Sequence, residues 1–350
     1  MIEKRMVQIG KFPCGKRNNI CDVEGVLVGH STVESENIHT GVTAILPHNG
    51  NMFREKVVSA AYAFNGFGKS MGLVQVEELG TVETPILLTN TLNIGKVSDG
   101  LVSYMLKDNP EIGVSTSTVN TLVMECNDGS INEIQKRVLD EKNVLEAIDN
   151  ASDDFKQGNI GAGCGMKCYG FKGGIGSSSR IVNICGKDYT IGVLVNSNFG
   201  SSNGEDLVFK GRRLGDLIKD YNHKKEEDKG SIIVVIATDL PLDSRQLKRL
   251  ARRGELGIAR TGSYAGNGSG DIMLAFSTVN LVKHYNDGAT EEITRFFDSE
   301  INPAFKAIVD ATEEAVLNSL LYSKGVKSFN GTYYKSLMEY KELFDDLLIK

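Results

Sequence analysis

At 350 residues, with 41% hydrophobic and 24% charged side chains, the chain has material for a large core and length for one or two domains. Its net charge of −6 excludes a general nucleic-acid binder, which needs a concentrated positive surface. No run approaches the ~20 apolar residues of a membrane-spanning helix and Met1–Met6 lacks a signal peptide's apolar core, so a cytoplasmic protein without membrane contact is expected.

In chain order, strands alternate with helices. Val26–Val28 and Gly41–Leu46 are β-branched runs bounded by glycine and Pro47, which predicts a strand, a turn and a second strand. His30, His39 and His48 fall in or beside this unit. None is paired at the i, i+4 spacing of a helix, so no metal site is expected from them. Val57–Phe64 predicts a strand running into Gly66-Phe67-Gly68-Lys69-Ser70, which ends like a phosphate-binding loop but has Ala63 where that loop needs its first glycine. Pro85–Thr91 predicts a buried strand delivering Asn90 and Thr91 to its end. Val97, Leu101, Met105 and Leu106 then recur at helical spacing until Asn109-Pro110 stops the helix.

Leu122–Cys126 predicts another short strand, and Ile131–Phe155 is charged and periodic enough for one or two surface helices. Glycines then crowd 158–176. A dinucleotide fingerprint would be followed by a helix, whereas a strand at Ser179–Cys185 follows here, and a substrate-cleft wall is expected instead. Tyr189–Gly200 predicts a strand ending in an amide-rich turn, with Asn198 as a candidate donor. His223–Lys229 is the clearest exposed loop, and Ser231–Ala237 is a β-branched run that implies cover on both faces. From Ser244 an amphipathic helix turns Leu247, Leu250, Ala251 and Leu256 one way and a set of arginines and lysines the other, as a solvated face. Glu291–Ser323 is a long helical region interrupted near Asn302-Pro303. Six cysteines in this length do not form a disulfide framework, and Cys164 and Cys168 lack a zinc-type spacing. No linker, repeat or low-complexity run divides the chain, so residues 1–350 are expected to form a single domain.

The reactive chemistry concentrates in Ala265-Gly266-Asn267-Gly268-Ser269-Gly270-Asp271, which runs into the apolar segment Ile272–Ser277. A serine between two glycines at the mouth of a strand sits where the backbone is least crowded. Asn267-Gly268 is a turn dipeptide that leaves the Gly268 carbonyl open to the Ser269 hydroxyl. An N-to-O shift followed by hydrolysis would split the chain into 1–268 and 269–350. Ser269 would then carry a nucleophile and an α-amino group, whose pKa near ~7.7 to 8 suits a general base at neutral pH. Without that chemistry the same residues form a polar hairpin turn.

Other blocks bear on the choice: Asp22-Val23-Glu24-Gly25, Val28-Gly29-His30, Thr40–Pro47, Leu88-Thr89-Asn90-Thr91, Cys168–Gly176, Ala237-Thr238-Asp239 and Arg260-Thr261-Gly262-Ser263. With Asn267–Asp271 and Leu274–Thr278 they resemble the self-processing serine aminopeptidases, the family of L-aminopeptidase/D-amidase-esterases and β-peptidyl aminopeptidases. The resemblance covers most of the chain. It implies an α/β fold, the four-layer αββα sandwich of N-terminal-nucleophile hydrolases, and a serine hydrolase that needs no metal and no organic cofactor.

The resemblance further implies Ser269 as the nucleophile, freed by cleavage of Gly268–Ser269, with Thr312 and Glu314 completing the catalytic group and Tyr169 and Asn198 near the oxyanion. Asn90 and Gln157 are expected at the substrate. Gln157 stands where relatives carry a glutamate, so a hydrogen bond would replace an ion pair to the substrate's amine. The implied substrates are short peptides, amino-acid amides and esters, with D- or β-residues among them, and the implied assembly is a homo-oligomer. Two alternatives stay open: an acyltransferase of the ornithine acetyltransferase type, and an uncleaved protein that binds a small molecule.

Overall fold

The run Ser231–Thr238 is buried at every position and lies inside the larger of two stacked sheets. The structure is a computed structural model that describes residues 5–218, 230–286 and 288–349. Its main elements are β1 (Leu27–Glu34), β2 (His39–Leu46), β3 (Glu55–Gly66), α1 (Leu73–Leu79), β4 (Thr81–Val82), β5 (Ile86–Asn90), α2 (Ile94–Asp108), β6 (Leu122–Cys126) and α3 (Glu141–Asp149). There follow β7 (Lys167–Cys168), β8 (Phe171–Lys172), β9 (Gly174–Ile184), β10 (Lys187–Asn198), β11 (Val208–Phe209), β12 (Arg212–Arg213), β13 (Ser231–Thr238), α4 (Ser244–Arg260), β14 (Gly270–Lys283) and α5 (Asn302–Leu321).

The smaller sheet has the order β1-β2-β5-β6 and the larger β4-β3-β14-β13-β10-β9. Within the larger sheet only β13 and β14 run parallel, joined through α4, which is the connection a parallel pair requires. Strand periodicity then builds the layers. On β14, Ile272, Leu274 and Phe276 face the smaller sheet and meet Ile45, Leu88 and Met124, while Met273 and Ala275 face α4 and α5. On the far side of the smaller sheet, Val97 and Leu101 of α2 and Val144 and Ala147 of α3 cover Val42, Ala44 and Leu87. The result is helix, sheet, sheet, helix, as the resemblance implied.

Several sequence expectations change. Of the one or two surface helices expected in Ile131–Phe155, one α-helix forms, α3, opened by an Asp140 capping box. Pro303 does not interrupt a helix begun at Glu291. It lies in the first turn of α5, where its missing N–H is no loss, and 291–297 is irregular. The strand expected from Ser179 begins at Gly174, and the glycines there pack layers together, while Lys167 of the same glycine-rich stretch lines the cavity. A Cβ on Gly176 would stand 2.0 Å from the Ala315 carbonyl of α5. The exposed loop expected at His223–Lys229 lies outside the described residues. Among the described residues no helix is long and apolar enough to cross a membrane.

Candidate active site

Ser269 immediately precedes β14 and is held from both neighbouring strands. Its N–H donates to the Gly266 carbonyl at 2.8 Å, closing a turn around Asn267-Gly268, and Asn65 Nδ2 donates to the same carbonyl at 2.6 Å. The Ser269 carbonyl accepts the Phe67 N–H at 3.3 Å, and the Gly270 N–H donates to Gly230 O at 3.2 Å. The serine side chain is fully buried, and Oγ donates to Asp271 Oδ1 at 2.7 Å. Period-2 alternation turns both side chains toward α4. There Glu255 is buried, and burial first, then the charge of Asp271, raise its carboxyl from 4.5 to about 8. At neutral pH Glu255 is protonated beside an acceptor that points at the serine.

A second carboxylate reaches the site from the smaller sheet. Glu125 of β6 is buried and accepts the Lys69 N–H at 2.8 Å, with Thr91 Oγ1 donating to its other oxygen. One loop therefore binds Ser269 through Phe67 and Glu125 through Lys69. Gly68 stands between them, where an added Cβ would come within 3.0 Å of Ile272 and 3.8 Å of Glu125 Oε1. Sequence reasoning passed over Glu125, although a carboxylate inside the apolar run Leu122–Cys126 was the available signal. A cavity of about 430 Å³ adjoins this place. Its walls include Asn127, Lys167, Asn198, Phe199 and Gly230, and Gly230 is the residue that accepts the Gly270 N–H.

The expected site residues divide by position. Gly268 lies in the turn, one bond from Ser269. Asn198 ends β10, which is bonded to β13, and β13 is bonded to β14 at Gly270; Asn198 accepts the Lys167 N–H and donates to Asn127 O, each at 3.0 Å. Asn90 donates to Thr40 and Asp128 and accepts from Asn93, which builds the wall beside Thr91 and Glu125. Tyr169 is fully buried, with its hydroxyl 2.9 Å from Thr261 Oγ1 at the end of α4 and its ring under Gly200.

The remaining three make no hydrogen bond to the serine's hydroxyl, which donates to Asp271. Gln157 accepts the Ser177 N–H at 2.6 Å on β9, the edge strand three places from β14. Thr312 packs in the contact of α5 with Gly257 of α4. Glu314 is fully buried and held by Arg180 Nη2 at 2.6 Å, by the Ile9 N–H at 2.7 Å and by Asn18 Nδ2 at 2.6 Å. Arg180 pairs through Ile191 and Thr238 with Ser277, seven residues beyond Gly270. At ~3.3 Å per residue and ~4.8 Å per strand, its backbone is on the order of 25 Å from that of Gly270.

With this geometry in hand, the match of residues 18–334 to the family model described as Peptidase family S58 is decisive. The chain belongs to peptidase family S58. It is a hydrolase of the serine aminopeptidase kind. The chain is 36% identical to the beta-peptidyl aminopeptidase BapA of Sphingosinicella microcystinivorans, over 91% of this chain and 84% of that protein. Among solved structures, a Pyrococcus horikoshii OT3 protein is 49% identical and superposes with a TM-score of 0.92 over 96% of each chain. The L-aminopeptidase D-Ala-esterase/amidase of Ochrobactrum anthropi, described as a prototype of the serine aminopeptidases and a variant of the Ntn hydrolase fold, is 33% identical. Its TM-score is 0.89, over 97% of this chain and 96% of that one. The S58 fold is thus the four-layer arrangement described above, with the Ser269 turn at the end of its larger sheet.

Proposed function

We propose that this S58 peptidase activates itself by cutting Gly268–Ser269 and then removes N-terminal residues from short peptides, amino-acid amides and esters. The observation that carries the reading is the buried Ser269 hydroxyl, bonded to Asp271 in a turn whose preceding carbonyl belongs to glycine. In the first step Oγ attacks the Gly268 carbonyl carbon and its proton passes through Asp271. The Gly268–Ser269 amide C–N bond breaks, and the departing nitrogen becomes the Ser269 amine. Water then hydrolyses the resulting ester, leaving a Gly268 carboxylate and a free Ser269 hydroxyl.

In turnover the new amine takes the hydroxyl proton as Ser269 attacks the substrate carbonyl. Amide groups at the cavity, with Asn198 among them, receive the oxyanion. Glu125 pairs with the substrate's free ammonium, where the resemblance implied only a hydrogen bond from Gln157. Thr312 and Glu314 act from the α5 side by fixing the layers that carry the strand, and Tyr169 fixes the end of α4. D- and β-residues fall within the range of substrates, in line with the named activities of the relatives. The working form is a cytoplasmic homo-oligomer of cleaved protomers.

The test is intact mass under denaturing conditions together with an aminopeptidase assay. Fragments 1–268 and 269–350 are expected from the active protein, and Ser269→Ala should stay one chain without activity. Full-length active protein would overturn the reading. Including an amine acceptor in the assay separates hydrolysis from acyl transfer.

A further inference from the structure

The three side chains Glu34, His39 and Cys164 meet at one end of the smaller sheet, remote in sequence and unused by the proposed mechanism. Antiparallel pairing of β1 with β2 sets Glu34 directly opposite His39 at the hairpin's end. The turn 161–164 docks on the same hairpin, with the Gly161 N–H donating to Thr32 Oγ1 at 2.8 Å and the Ala162 N–H to Thr43 Oγ1 at 3.1 Å. Gly165 permits the approach, since a Cβ there would stand 2.2 Å from the His39 carbonyl. The carboxylate, imidazole and thiol ligand atoms all lie within 4.8 Å of one another.

The histidine's surroundings distinguish this group from a chance cluster. His39 is only 5% exposed, and neither ring nitrogen makes a hydrogen bond. Buried imidazole nitrogens are ordinarily satisfied by a partner. The nearest acidic atom, Glu34 Oε1, lies 3.5 Å from Nδ1, at the outer limit of a hydrogen bond. Two ligand atoms each about 2.1 Å from one tetrahedral ion would stand about 3.4 Å apart. The His39–Glu34 separation matches one edge of such a tetrahedron.

We propose that Glu34, His39 and Cys164 bind a divalent d-block cation of zinc type, with a fourth position left for water. Thiolate, imidazole and carboxylate together select such an ion over magnesium or calcium, which prefer oxygen ligands alone. Burial pushes the Cys164 thiol up to about 12, with the Lys172 ammonium acting against that rise, so an ion bound there would displace the thiol proton. The spacing of Glu34, His39 and Cys164 gave no metal expectation because the hairpin register and the docked turn assemble the set. The ion would staple the turn preceding Lys167, a residue of the cavity wall.

The experiment uses the full chain freed of metal by chelation and titrated with cobalt(II) and zinc(II). One equivalent of cobalt should give a thiolate-to-metal charge-transfer band together with the visible spectrum of a tetrahedral ion. Zinc should displace it and raise the thermal midpoint. His39→Ala and Cys164→Ser should each weaken zinc by at least about tenfold, on the scale of site disruption. Glu34→Gln, at an exposed side chain, should weaken it while leaving the fold intact. Cys185→Ser, which removes the exposed thiol, should change nothing. Absence of the thiolate band, or zinc affinity unchanged in Glu34→Gln and Cys164→Ser, overturns the proposal.

Discussion

Ser269 and Asp271 share one face at the entry to β14, and the serine hydroxyl donates to the aspartate at 2.7 Å. A carboxylate that receives the proton as Oγ attacks is worth about 10² or more in rate. Asp271→Asn keeps a hydrogen-bond acceptor but removes that basicity. Self-cleavage should slow by about 10²-fold or more in a time course of intact mass, with the thermal midpoint little changed.

Glu255 gives a pH signature. Its carboxyl is raised from 4.5 to about 8 by burial and by Asp271, so between those values the folded chain holds a proton that the unfolded chain has released. Stability falls with pH wherever the folded state binds more protons. The contribution of Glu255 is therefore intact below about pH 4.5, declines up to about 8 and levels off above. Glu255→Gln should flatten this decline and raise the thermal midpoint above pH 8 by a few degrees relative to the parent, as followed by melting across pH.

Glu125 tests the amine anchor. A charged hydrogen bond contributes ~1.5–3 kcal/mol, so Glu125→Gln should raise KM by about ten- to a hundredfold for substrates with a free amine. Fragments 1–268 and 269–350 should still form, because self-cleavage involves no external amine. Gln157→Ala, at the edge of β9, should leave KM within about twofold. Steady-state kinetics on the cleaved protein measure both.

Arg180 and Glu314 are fully buried partners. Arg180→Ala leaves a buried carboxylate without its cation and should destabilise the chain by ~3–5 kcal/mol in denaturant unfolding. The loss should appear equally in the cleavage-deficient Ser269→Ala background, as expected of a pair that holds β9 against α5 and the Ile9 segment.

Position along the chain made much of this legible. The apolar run at 231–237 announced a strand covered on both faces, and Gly268-Ser269-Gly270 marked the open turn before β14. Pro303 is ambiguous in the sequence because proline can end one helix or sit in the first turn of the next, and only neighbouring packing chooses. Glu314 and Glu125 were harder. Both are buried carboxylates, and their partners, Arg180 for one and the Lys69 loop for the other, are distant in sequence.

The sequence by itself determined the alternation of strands and helices, the family resemblance and the serine that matters, because period-2 and period-3.6 patterns and turn chemistry are local properties. Tertiary structure alone decided that Asp271 accepts from Ser269 and that Glu314 pairs with Arg180. It also decided that a hairpin and a distant turn place a glutamate, a histidine and a cysteine together. Strand register and layer packing set those distances, and neither is written in the spacing of residues along the chain.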